Sequence, residues 1–198
     1  MDARVALVTG ATSGIGAQAA LALRRRGFVV YAAGRRGDRL ADAATKELLP
    51  LKLDVTDDGS MVDAIDRIVA DRGRIDVLVN NAGYGSLGAI EETTAAEGRR
   101  QFEVNVFGAF RLIQLVLPHM RAQRSGRIIN VSSAGGKTYG PLGGWYHGTK
   151  FALEGMSDSL RRQRTGVVHA GNEQIPGGAE PRRLLGRRPG SCRRGRRP

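Results

Sequence analysis

Arg4-Val-Ala-Leu-Val-Thr-Gly-Ala-Thr-Ser-Gly-Ile-Gly16 is the stretch that decides the fold. Residues 4–9 form a short apolar run suited to a buried strand, which passes straight into a glycine turn and then into an Ala/Leu-rich segment, residues 17–26, suited to a helix. Strand, glycine turn and helix in that order aim backbone N–H groups and a helix N-terminus at a pyrophosphate. Gly10 would allow the tight turn, while Gly14 and Gly16 would let backbone approach a ligand and the helix pack closely on the sheet. Thr12, Ser13 and Ile15 complete the turn and join the three glycines as candidate cofactor-binding residues. The spacing is Gly-x-x-x-Gly-x-Gly, not Gly-x-Gly-x-x-Gly, and no Gly-Lys-Ser/Thr follows, which speaks against an ATP-binding loop. The alternative is an ordinary glycine-rich turn.

Downstream, the same alternation continues. Residues 28–33 read as a second strand followed by Gly34-Arg35-Arg36. Dinucleotide-binding units place Asp or Glu near this point to bind a ribose 2′-hydroxyl, whereas Arg accommodates a 2′-phosphate. Two guanidiniums and no carboxylate favour NADP(H) over NAD(H), with Arg35 the nearer contact and Arg36 assisting through bidentate bonds. A solvated basic turn neutralised by Asp38 is the competing reading. Residues 49–53 form a third strand candidate ending at Asp54-Val55, where Asp54 can accept from an adenine amino group or cap the turn into a helix over 61–72. A fourth strand, 75–79, runs into Asn80-Asn81-Ala82-Gly83, and Asn and Gly at a strand end suit a ligand crevice.

Residues 97–120 are mainly helical, interrupted or bent around Asn105 and Gly108. A buried Asn105 must satisfy both its carbonyl and its amide, as a structural hydrogen-bonder or a water-holder near a site. Pro118 should kink or loosen the final turn. Residues 127–132 give a fifth strand with Ser132-Ser133 at its carboxyl end, the end where an open α/β sheet keeps its ligands. Tyr146 and Lys150 lie four residues apart and share one face if their segment is helical. A nearby cation favours the phenolate, which makes Tyr146 a candidate general acid/base, and Ser133 could set a hydroxyl beside it to hold a carbonyl or alkoxide. The expected fold is α/β: a doubly wound parallel sheet of Rossmann type in three α/β/α layers, with right-handed crossovers.

These motifs, in this order and spacing, resemble the short-chain dehydrogenase/reductase family in its classical branch, over about residues 3–160. The resemblance rests on Thr9-Gly10-Ala-Thr-Ser-Gly14-Ile-Gly16, Asp54, Asn80-Asn81-Ala82-Gly83, Asn105, Ser133 and Tyr146-x-x-x-Lys150. It implies a single-step hydride transfer between NAD(P)(H) and an alcohol/carbonyl carbon, without metal. It further implies that Tyr146 donates or accepts the proton, that Ser133 orients the substrate oxygen, and that Lys150 binds the nicotinamide ribose and eases ionisation of Tyr146. By the same resemblance Asn105 holds a water linked to Lys150, Gly10, Gly14 and Gly16 line the pyrophosphate, Asp54 with Val55 meets the adenine, and Asn81, Ala82 and Gly83 border the cofactor. A homodimer through the two long helices, 97–120 and 145–161, is the implied assembly.

The whole chain bounds these expectations. Of its formal net charge of +12, most sits at the end, where residues 161–198 hold 11 Lys and Arg against 2 Asp and Glu. The single cysteine, Cys192, excludes an internal disulfide framework and a thiolate metal site. The first apolar run is too short for a signal peptide or a membrane span, so a cytoplasmic protein acting on a small-molecule alcohol or carbonyl is expected. Residues 162–198, rich in Arg, Gly and Pro, carry almost no periodic apolar pattern. We therefore expect a domain over 1–161, lacking the last one or two strands of the family, and a disordered basic tail over 162–198. A nucleic-acid-binding arm lacks interleaved aromatics there. A family-like ending has only Val167-Val168 and Pro176-Gly177 to support it, and a shifted reading frame near residue 162 is the favoured origin of the tail.

Overall fold

The structure is a computed structural model that describes residues 3–35 and 47–163, together with the backbone of 168–173. Arg36, Asp38 and residues 174–198 lie outside the described residues. The elements in chain order are β1 (Val5–Thr9), α1 (Gly14–Arg25), β2 (Val29–Gly34), β3 (Leu49–Lys52), α2 (Asp58–Arg72), β4 (Val77–Asn80), α3 (Ala95–Phe102), a π-turn (Glu103–Phe107), α4 (Gly108–Ala122), β5 (Gly126–Val131), a 3-10 turn (Ala134–Gly136), α5 (Gly144–Arg162) and β6 (Val168–Glu173). All strands pair in parallel, in the order β3-β2-β1-β4-β5-β6. The chain winds outward in both directions from the β1/β4 pair, and that reversal opens a crevice at the carboxyl ends of these two strands.

Why these runs are strands follows from their burial. Every residue of β1 and β4 is buried, because helices cover both faces of the sheet, so near-continuous Val, Leu and Ala replace the in/out alternation of a half-exposed strand. Alternate residues still go to different layers. Val5, Leu7, Tyr31, Leu78 and Ile128 pack toward α2 and α4 with Ile65, Ile68, Leu112 and Val116. Ala6, Val8, Val30, Ala32 and Val79 pack on the opposite face with Ala20 of α1. The smaller side chains of that second layer bring α1 close to the sheet, which positions the glycine turn.

Local signals set the helix ends. Asp57 caps α2 by accepting from the Ser60 N–H at 2.9 Å, and Gly73 closes it in the left-handed region at φ 67°. The cap is thus Asp57, and Asp54 instead accepts from the Thr56 N–H (3.0 Å) and hydroxyl (2.8 Å) within the preceding turn. Thr94 caps α3 by accepting from the Glu97 N–H, and Thr-x-x-Glu is the spelling of a capping box. The interruption expected at Asn105 is present as the π-turn. The helix after it runs through an exposed Pro118 to Ala122, since a proline on the solvent side near a helix end removes one bond without disturbing the packed face.

Among the described residues the sheet has six strands, and the sixth falls inside the stretch expected to be disordered tail. Val168–Glu173 pairs in parallel with the whole of β5, from Gly126↔Val168 to Val131↔Glu173. A strand added at an edge is held by backbone bonds to unpaired N–H and C=O groups, a demand on main chain that an irregular side-chain pattern does not forbid. The boundary drawn at residue 161 therefore cuts the sheet one strand short.

Candidate active site

The glycine turn is held from below by a side-chain clip between β1 and β4. The Thr9 hydroxyl accepts from the N–H groups of Asn81 and Ala82, both at 3.0 Å, and Asn81 Nδ2 donates to the carbonyls of Thr9 (2.9 Å) and Gly10 (3.3 Å). Space around this clip is minimal. A Cβ on Gly10, which sits at φ 64°, would lie 2.9 Å from Asn81 Nδ2, and one on Gly16 would collide with the Gly10 carbonyl and the same amide. Ser13 precedes α1 in extended conformation and makes no side-chain cap, so the helix N-terminus stays open, with Ser13, Gly14 and Ile15 exposed. Open N–H groups at a positive helix end are the donor set a pyrophosphate requires.

At the end of β2, Gly34 is pressed against Thr12: a Cβ there would approach the Thr12 methyl to 2.6 Å. A side chain at position 34 would have to displace the Thr12 methyl, and Arg35 follows it exposed. Val55 turns its side chain into the core, which leaves only its backbone to face a ligand. Ala82 is half-buried and Gly83 exposed beyond the clip.

Asn105 sits buried in the π-turn and uses its whole amide. Its Oδ1 accepts from the Tyr84 N–H (3.0 Å), and its Nδ2 donates to the Tyr84 carbonyl (2.8 Å) and the Thr149 hydroxyl (3.1 Å). Of the two roles open to it, the structural one is visible: it pins the loop after β4 to the π-turn and to α5. The Tyr84 hydroxyl in turn donates to Glu97 at 3.0 Å, and burial together with that carboxylate pushes its pKa up to about 12.

Tyr146 and Lys150 share one face of α5, the ammonium lying 5.8 Å from the centre of the phenol ring. Glycines flank that ring: a Cβ on Gly85 would be 3.2 Å from it and one on Gly135 3.3 Å. Lys150 is buried and donates to the Val131 carbonyl at 2.9 Å. Burial lowers its pKa to about 8, against a smaller upward pull from Glu154. Ser133 ends the segment after β5 and accepts from the Gly135 N–H at 3.1 Å, starting the 3-10 turn that lies against Tyr146. The structure therefore gathers Ser133, Tyr146, Lys150 and, through Thr149, Asn105 at the carboxyl end of β4 and β5.

Several residues of the site carry no signal in a single sequence. A buried chain of bonds runs from Asn80 Nδ2 to Asn130 Oδ1 (2.9 Å) and from Asn130 Nδ2 to the Ser157 hydroxyl (2.8 Å), locking β4, β5 and α5 in register. Buried Glu154 pairs with Lys137 at 3.0 Å, and His147 bonds the loop over α5 through both ring nitrogens. Of these, Asn80 belongs to the Asn80-Asn81-Ala82-Gly83 run noted in the sequence, and Thr94-x-x-Glu97 is recognisable by its capping spelling. Among the described residues no three His, Cys, Asp or Glu are grouped to hold a metal, and no helix is long and apolar enough to cross a membrane.

A doubly wound parallel sheet with an open glycine turn at its reversal defines a Rossmann-type α/β/α protein, and a Ser, Tyr and Lys lie at the same end of the sheet. The model of the family described as short chain dehydrogenase matches residues 4–168, and the chain belongs to that family. It is 40% identical over 160 residues to a 3-ketodihydrosphingosine reductase of Bacteroides thetaiotaomicron, covering 81% of this chain and 58% of that one. Its fold matches the crystal structure of a short-chain dehydrogenase from Streptomyces avermitilis, with a TM-score of 0.81 and 39% identity over 89% of this chain and 65% of the other. A gluconate 5-dehydrogenase of Burkholderia cenocepacia in complex with NADP and tartrate gives a TM-score of 0.83 at 27% identity, over 89% of this chain and 72% of the other. The chain thus spans a little under three-fifths of the length of the Bacteroides relative.

Proposed function

We propose that the chain carries the nucleotide-binding and catalytic residues of an oxidoreductase that interconverts an alcohol and a carbonyl with NADP(H), with Tyr146 as the acid/base. The observation that carries the reading is the seating of the Tyr146 ring between Gly85 and Gly135, with the Lys150 ammonium on the same helix face. Bound nicotinamide supplies or takes the hydride. The protein's own groups do the rest. In reduction the Tyr146 hydroxyl gives its proton to the carbonyl oxygen, and in oxidation the phenolate takes one from the alcohol. Ser133 donates a hydrogen bond to the same oxygen and holds it in line. Lys150 presents its ammonium on the same helix face, 5.8 Å from the centre of the phenol ring.

The nucleotide reading rests on fit. The open N-terminus of α1 takes the pyrophosphate, Gly14 and Gly16 letting the backbone approach it. Exposed Arg35, beside a position 34 that carries no carboxylate, takes a 2′-phosphate, so NADP(H) is favoured over NAD(H).

The rim of the site is apolar. Leu87 and Ile90 on the loop after β4 and Tyr139 and Leu142 on the loop before α5 are all exposed, and the Gly88 N–H donates to the Leu142 carbonyl at 2.8 Å to join the two loops. A carbonyl on an apolar body fits such a rim better than a sugar does. The Bacteroides relative is by name a ketone reductase. The test is NADPH or NADH consumption over a panel of apolar and polar ketones. Faster turnover of apolar ketones with NADPH is expected. Tight nucleotide binding without turnover of any carbonyl would replace the catalytic reading with a binding one.

A further inference from the structure

His147, next to the acid/base candidate in the chain, is half-buried against the loop that runs from Ser133 to α5. Its Nδ1 lies 3.0 Å from the Gly135 carbonyl, and its Nε2 lies 3.2 Å from the Gly140 N–H. The partners dictate the state of the ring. A carbonyl can only accept, so Nδ1 must carry a proton; a backbone N–H can only donate, so Nε2 must be bare. The imidazolium, which donates from both nitrogens, would set N–H against N–H at Gly140. The fit is steric as well: a Cβ on Gly135 would lie 2.9 Å from Nδ1 and one on Gly143 2.7 Å from Nε2, so the loop closes on the imidazole only because these residues are glycines.

The consequence reaches the catalytic groups. Gly135 is bonded on one side to His147 through its carbonyl and on the other to Ser133, whose hydroxyl accepts from the Gly135 N–H at 3.1 Å. The same residue lies against the Tyr146 ring. Further along, the loop carries Tyr139 and Leu142 of the apolar rim. We propose that neutral, Nδ1-protonated His147 is a positioning residue that clasps residues 135–140 onto α5 and thereby fixes the Ser133 hydroxyl relative to Tyr146. The clasp itself stands on geometry alone; its effect on turnover rests on the catalytic reading above.

The test separates the two. Long-range 1H–15N spectra of the wild-type chain at neutral pH should show His147 as the Nδ1–H tautomer, and hydrogen exchange should show protected amides at Gly135 and Gly140. A mainly Nε2–H or imidazolium signal, or unprotected amides at both positions, overturns the proposal whether or not any ketone is turned over. The variants then probe the route. In His147→Asn the amide nitrogen can replace Nδ1 as donor to Gly135, whereas in His147→Gln the amide oxygen can replace Nε2 as acceptor from Gly140. Asn should keep Gly135 protected and retain most of kcat, while Gln should keep Gly140 protected but lose kcat by about 10-fold or more, as a misplaced reacting group does. NADPH affinity should stay unchanged in both. Equal kcat in the two variants, or a loss confined to NADPH binding, would show that the ring does not position Ser133. Should either variant not fold, the wild-type spectra still decide.

Discussion

The glycine turn and the loop before α5 lie at the same, carboxyl end of the sheet but are built by different means. Around Gly10 and Gly16 the shape is made by main chain and by the absence of side chains, with one Thr9–Asn81 clip beneath. Around Tyr146 it is made by side chains that grip a loop: His147 on Gly135 and Gly140, Glu154 on Lys137, Asn105 on Tyr84. The first region should fail sharply when an atom is added. The second should respond to charge, to pH and to which hydrogen bond is removed.

The largest effect we expect comes from the catalytic side, where Lys150 is buried with its pKa lowered to about 8 from 10.5. Between these values the unfolded chain binds more protons than the folded one, so stability rises with pH from about 8 and levels off above the unfolded value. The shift corresponds to about 3 kcal/mol. Urea denaturation of wild type and Lys150→Met across that range checks it: the rise should be absent in the variant, and parallel curves would show that Lys150 is not held in a desolvated site.

Next comes the nucleotide side. Gly16→Ala forces a methyl onto the Gly10 carbonyl and the Asn81 amide, which should cost about 2 kcal/mol and abolish NADPH binding. A variant with wild-type melting temperature and affinity would mean that the turn has slack, and the contrast between the regions would lose its first half.

The smallest expected change is a gain. Leu142 sits at φ 64° in the loop over the site, a conformation that costs a non-glycine residue about 1 kcal/mol. Leu142→Gly should stabilise the chain by up to about that amount while raising KM for apolar ketones, because it removes one side chain of the rim. Unchanged stability would place the strain elsewhere.

The same contrast explains what could be read from the letters alone. Strand runs, the glycine turn, the guanidinium at position 35 and the spacing of Ser133, Tyr146 and Lys150 are local patterns with local physical causes, and the structure brings the last three together. The π-turn was foreshadowed because a buried Asn and a Gly cannot both sit easily in a regular apolar helix. His147 was not legible, since its two partners are backbone atoms supplied by a loop whose path the sequence does not encode in side-chain type. Glu154 reads as a surface residue by composition, yet Lys137 and Gly136 let it lie buried beside Lys150. β6 is hard to read for a related reason: main-chain pairing at a free edge leaves little trace in a pattern of side chains.

The central claim is that Tyr146 supplies the proton on a frame whose nucleotide half is built independently. It is tested most directly by measuring kcat and NADPH affinity together for wild type and Tyr146→Phe on one apolar ketone. The account predicts that kcat falls by about 100-fold or more while the NADPH dissociation constant stays within about 3-fold. A Phe variant that keeps its turnover, or one that loses nucleotide binding in step with it, would contradict the account.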